Sequence, residues 1–156
     1  MPLEFEVQRV STSASIPDNK KFKLWAETAL AGKGEDFSFG LRIVDEEEAQ
    51  RFNREYRQKD YATNVLSFPS DLPEELPEEL RKAQLGDLLI CAPLVTREAI
   101  EQQRSEADHW AHLLIHGVLH LLGYDHEQAD EADKMESLET EILAKLGIDD
   151  PYKQVD

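Results

Sequence analysis

Two runs of alternating apolar residues constrain the fold most: Leu3, Phe5 and Val7, then Phe37, Phe39, Leu41 and Ile43. A repeat of two is the signature of strands that bury one face. Between them Pro17 opens a helix that runs through Phe22, Trp25 and Leu30 and stops near Gly32. The chain therefore begins strand, helix, strand. Asp45 followed by Glu48 fits a second helix start, with Ala49, Phe52 and Tyr56 spaced to bury one face, and this helix delivers Arg57 near its end.

Val65 to Phe68 and Leu85 to Cys91 read as two further strands, separated by PSDLPEELPEELRKAQ, in which LPEE occurs twice in tandem. This acidic stretch from Leu72 to Leu80 reads as a solvated connection, with a mobile lid as the alternative. From Pro93 the pattern is helical: LVTREAIEQQ, then about Asp108 to Leu122, then Asp130 to Leu146, closed by Gly147. We expect one domain over residues 1–156, of α/β or α+β class. Its sheet should have about four strands of mixed direction, because crossover helices and a hairpin both occur.

The net charge is −16, from 33 acidic against 17 basic residues. Such a chain has no general attraction for nucleic acid or anionic membrane, so any polyanion must meet a local basic patch. No run approaches eighteen apolar residues and MPLEFEVQRV carries no leader pattern, which leads us to expect a cytoplasmic protein with no membrane partner. Cys91 is the only cysteine, so there is no intrachain disulfide, and we expect a buried thiol in a strand.

All five histidines, His109, His112, His116, His120 and His126, fall within eighteen residues on or beside one predicted helix. Residues four apart lie roughly 40° apart around a helix and about 6 Å along it, so His112 with His116, or His116 with His120, can meet one ion. All three cannot, because about 12 Å of helix rise separates His112 from His120, against metal–nitrogen bonds of about 2.0–2.1 Å. Gly123 decides between the pairs. It can take the left-handed conformation that ends a helix, after which the chain turns back and presents His126.

His116, His120 and His126 are thus the expected ligands of one divalent ion with an open position for water, with Asp125 to orient an imidazole. For His109 and His112 the reading as packed, hydrogen-bonded core residues stays equally open. The identity of the metal stays open too, since imidazole suits nickel, copper and iron.

The spacing His-x3-His-x2-Gly-x2-His is also that of metzincin peptidases, whose second position is a catalytic glutamate. Here it is Gly117, and a peptidase without its base forgoes a contribution of about 10²–10⁴-fold; Glu127 is a conceivable substitute. Phosphodiester cleavage asks instead for cations around developing charge. RFNREYRQKD, residues 51–60, is a basic island in an acidic chain. Within it Arg57 and Lys59 are the candidate substrate contacts, while Arg51 and Arg54 read as a solvated face with local pairing.

YRQKDYATNVLSFP (56–69), LGDLLIC (85–91), HWAHLLIHGVLHLLGYDH (109–126) and LETEILAKLG (138–147) together resemble the bacterial YbeY-type endoribonucleases, the ribosomal RNA maturation factors. The resemblance runs from about residue 40 to the C-terminus. It implies a single-strand-specific, metal-dependent endoribonuclease that matures the 3′ end of 16S ribosomal RNA and serves ribosome quality control. It also implies an α/β fold with the metal in a cleft, zinc on His116, His120 and His126, and a functional Arg57. The family commonly has proline where this chain has Ala62.

Two alternatives stand beside this reading: the metzincin-like zinc peptidase, and a zinc-stabilised ribosome-assembly module that cuts nothing. In the module, the acidic stretch from Asp125 to Glu141 would meet a basic protein of the small ribosomal subunit. Attack by water or by the ribose 2′-hydroxyl, the cut site and the oligomeric state stay open.

Overall fold

A computed structural model describes residues 3–33, 36–70, 75–77, 84–124 and 129–152. Among these, four strands and five helices follow one another as β1 (Leu3–Arg9), α1 (Asn19–Leu30), β2 (Phe37–Val44), α2 (Glu46–Arg57), β3 (Val65–Pro69), β4 (Gln84–Cys91), α3 (Ala92–Glu101), α4 (Glu106–Leu121) and α5 (Ala129–Lys145). The sheet order is β1-β2-β4-β3. β1 runs parallel to β2, and β2 to β4, while β3 lies antiparallel to β4 with Val65 opposite Ile90 and Pro69 opposite Gly86. The mixed four-stranded sheet expected from the sequence is therefore present. Proline ends the edge strand β3, where a missing N–H costs no ladder bond.

Alternation along the strands divides the core in two. Phe37, Phe39, Leu41 and Ile43 of β2, with Leu88 and Ile90 of β4, face the helices α1 and α4. Leu66, Leu89 and Cys91 face the other way, toward Ala49 and Phe52 of α2. Helices thus cover both faces, the first with the larger apolar cluster. Cys91 is fully buried in β4, as expected.

The helix starts differ in detail from the sequence reading. Asp18 caps α1, its carboxylate accepting the Lys21 N–H at 3.0 Å, so Pro17 precedes the cap instead of opening the first turn. Asp45 is the N-cap residue of α2 but makes no side-chain cap bond. Its carboxylate instead accepts from the Ser11 hydroxyl, and Glu48 pairs with Arg42, so the two residues tie the start of α2 to the segment after β1 and to β2. Tyr56, expected on the buried face, is 60 % exposed and stacks on Phe52 at 5.7 Å.

Candidate metal and RNA site

Helix α4 begins at Ser105, whose hydroxyl accepts the Asp108 N–H at 3.1 Å. Glu106 and Asp108 in the first turn suit the positive end of its dipole. Trp110, Leu114, Val118 and Leu121 bury one side, while His109, His112, His116 and His120 recur three and four residues apart and form a single stripe. Gly117 lies outside that stripe. A Cβ there would stand 2.7 Å from Leu88 Cδ2, and the Ser67 hydroxyl reaches the Gly117 carbonyl at 3.5 Å. Glycine at 117 lets the helix approach the sheet, and a glutamate there would point into the core.

His116 and His120 are half-buried, with Nε2 atoms 3.1 Å apart and ring centroids 4.6 Å apart. Two nitrogens on one tetrahedral ion with bonds of 2.0–2.1 Å would stand about 3.3 Å apart, so the pair fits a zinc ion. The His112 and His116 rings are farther apart, 6.3 Å between centroids. His116 and His120 are the closer pair.

Gly123 carries φ +106 and its N–H donates to His120 O at 3.0 Å, while the Tyr124 N–H donates to Leu119 O at 3.1 Å, so the helix stops where expected. His126, Asp125 and Glu127 lie outside the described residues, as does most of the acidic stretch from Leu72 to Leu80. Among the described residues no third His, Cys, Asp or Glu completes a metal-holding group.

Behind the pair lies a residue that the sequence reading missed. Glu139 of α5 is fully buried and its Oε1 accepts from His116 Nδ1. Burial alone would push this carboxyl up, but the His112 and His116 rings and the Tyr152 hydroxyl beside it hold it down to about 2. A carboxylate on Nδ1 fixes the ring and directs the Nε2 lone pair outward, as carboxylates do behind metal-bound imidazoles. The signal was a glutamate on the apolar stripe of Met135, Ile142 and Leu143, where an acid needs a buried partner.

His109 and His112 take the packed, hydrogen-bonded role. His109 Nε2 lies 2.8 Å from Glu98 Oε1, and Asn64 Nδ2 donates to the same oxygen at 3.0 Å. His112 Nε2 lies 3.2 Å from the Tyr152 hydroxyl, and burial, ahead of its other influences, makes the ring harder to protonate.

Arg57 is the last residue of α2, and Gln58 caps the helix in the left-handed conformation, its N–H donating to Arg54 O at 3.1 Å. Lys59 N–H donates to Asn53 O at 3.3 Å and Asn53 Nδ2 to Tyr61 O at 2.8 Å, so the turn is held from inside. Both Arg57 and Lys59 are exposed, and neither forms an ion pair among the described residues. Arg54 pairs with Asp60 at 3.7 Å, in keeping with the local pairing expected of it. Arg57 and the histidine pair sit on helices that pack against opposite faces of the sheet.

Fold and site together define a class: a small mixed-sheet domain that presents paired imidazoles on one helix, with a buried carboxylate behind them, and exposed cations at the end of α2. The chain belongs to the endoribonuclease YbeY family, whose model matches residues 6–147. The match begins far ahead of residue 40, where the visible motifs start. It is 55% identical over 150 residues to Endoribonuclease YbeY of Pseudomonas putida (strain W619), covering 96% of this chain and 93% of the relative. It is 54% identical over 154 residues to Endoribonuclease YbeY of Alkalilimnicola ehrlichii, covering 97% and 92%. A Thermotoga maritima protein solved in solution shares the fold, with a TM-score of 0.55 at 23% identity over 95% of this chain and 99% of that one. Neither the peptidase nor the non-cutting module finds support in these likenesses.

Proposed function

We propose that this chain is a single-strand-specific, zinc-dependent endoribonuclease that matures the 3′ end of 16S ribosomal RNA and serves ribosome quality control. The observation that carries the reading is the 3.1 Å approach of His116 and His120 Nε2 with Glu139 behind His116, in a member of an endoribonuclease family. His116, His120 and His126 would hold the ion, which supplies Lewis acidity toward a phosphoryl oxygen and toward water. Glu139 keeps the His116 ring in place. Arg57, exposed at the end of α2, would offer two parallel N–H groups to phosphate oxygens of the RNA, with Lys59 as a second contact. Cationic stabilisation of this kind needs no glutamate at position 117.

The partner side of the reading rests on charge. Asp130, Glu131, Asp133 and Glu141 are exposed on or beside one side of α5, a surface suited to a basic protein of the small ribosomal subunit. Glu139 is withdrawn from that surface by its burial.

The test is cleavage of single-stranded RNA bearing the 3′ precursor end of 16S ribosomal RNA by wild type, His116→Ala and Arg57→Ala, with zinc content measured for each. We expect Arg57→Ala to keep its zinc and lose about 10²–10³-fold in rate, the scale set by removing one transition-state donor. Equal cutting by all three proteins would contradict the proposal, and the product ends of the wild-type reaction identify the attacking oxygen.

A further inference from the structure

We propose that Tyr152, close to the C-terminus, is a positioning residue for His116, acting through Glu139; the inference rests on the reading of His116 as a metal ligand. The argument starts from a group that can only donate. Arg104 Nη1 lies 3.3 Å from His109 Nδ1 and 3.3 Å from His112 Nδ1. Guanidinium has no acceptor, so both Nδ1 atoms accept, and each neutral ring keeps its proton on Nε2. His109 then donates to Glu98 and His112 donates to the Tyr152 hydroxyl oxygen at 3.2 Å.

An oxygen that accepts from His112 turns its own hydrogen elsewhere, and Tyr152 donates it to Glu139 Oε2. The other carboxylate oxygen, Oε1, takes the Nδ1–H of His116. Every proton along the chain from Arg104 to His116 is thereby assigned. The assignment leaves the His116 lone pair on Nε2, the atom 3.1 Å from His120 Nε2.

Tyr152 is built into this position. Its N–H donates to Asp150 Oδ1 at 2.8 Å, and the Thr140 hydroxyl ties the same oxygen to α5 at 3.3 Å. Its ring meets His112 edge-on, with centroids 5.4 Å apart and planes at 87°. Among the described residues Tyr152 is the donor that engages Oε2 of the fully buried Glu139. Without it the carboxylate can rotate and Oε1 no longer has one orientation toward His116.

Tyr152→Phe keeps the ring and removes the hydroxyl, so the variant should fold. Two measurements decide the matter: zinc affinity by competition with a chromophoric chelator, and the two-bond proton–nitrogen spectrum of the metal-free protein, which reads the tautomer of His116. We expect zinc binding weakened about 10–100-fold, and a His116 ring that is Nδ1–H in wild type but mixed in the variant. An unchanged tautomer with affinity within about twofold of wild type, even beside a lower melting temperature, would reduce Tyr152 to packing and overturn the inference. Wild-type protein that binds no zinc would overturn the metal reading instead, and the tautomer comparison would still decide the role of Tyr152.

Discussion

Gly117 shows how one residue separates two chemistries that share a spacing. The histidine interval is that of a zinc peptidase, but the position that would carry the peptidase base faces Leu88, itself 1 % exposed. Installing that base should therefore damage the fold and create no protease. We predict that Gly117→Glu loses more than about 3 kcal/mol of stability in urea unfolding, from overpacking and an unpaired buried carboxylate; an unchanged midpoint would show that the side chain escapes the sheet. Cys91 offers a second test at this scale. Burial pushes its thiol up to about 11, so the native protein should react negligibly with a thiol-specific reagent at pH 8, and fully once denatured. Rapid labelling of the native state would contradict the packing described for β4.

Among the elements, α4 was the most legible in the sequence, because its stop at Gly123 and its histidine interval are local properties. Long-range partners were not legible. Asp45 and Glu48 have the spacing of a capping box, yet Asp45 is engaged by Ser11, 34 residues away, and Glu48 by Arg42 on the preceding strand. Tyr56 has the spacing of a buried residue, but its ring only rests on Phe52 and Phe68 and stays exposed. Glu139 escaped notice because His116 sits on another helix 23 residues back and Tyr152 lies beyond the end of α5, 13 residues on.

The joint between α3 and α4 carries a pH dependence of its own. Burial alone would raise the Glu98 carboxyl, but hydrogen bonds from His109 and Asn64 hold it below the ordinary value. A depressed carboxyl contributes stability that is complete above the unfolded value, about 4.3, and is lost as pH falls through the lower folded value. Glu98→Gln should remove that part of the acid limb of the stability profile. Identical limbs for variant and wild type would contradict the assignment.

At the scale of the whole molecule, charge and function pull in different directions. A net charge of −16 repels polyanions, and the candidate RNA contacts are confined to one turn after α2. We predict that the isolated protein binds bare single-stranded RNA weakly, with affinity falling steeply as salt rises, so that location on the ribosome would come from a protein contact. Nanomolar binding at physiological salt would contradict this. Alternation and the kinds of connection between strands were enough to read a mixed four-stranded sheet, since both recur along the chain. Which faces of that sheet carry Arg57 and His116 was not readable, because it depends on strand order.

Removal and return of the metal tests the central claim most directly. Chelated protein, shown to be folded and zinc-free, would be given the 16S precursor RNA before and after one equivalent of zinc. We predict no cutting before and restored cutting after, with Arg57→Ala remaining slow although it takes up the same zinc. Equal cutting by the zinc-free protein would contradict the account of the histidine helix as a catalytic metal site.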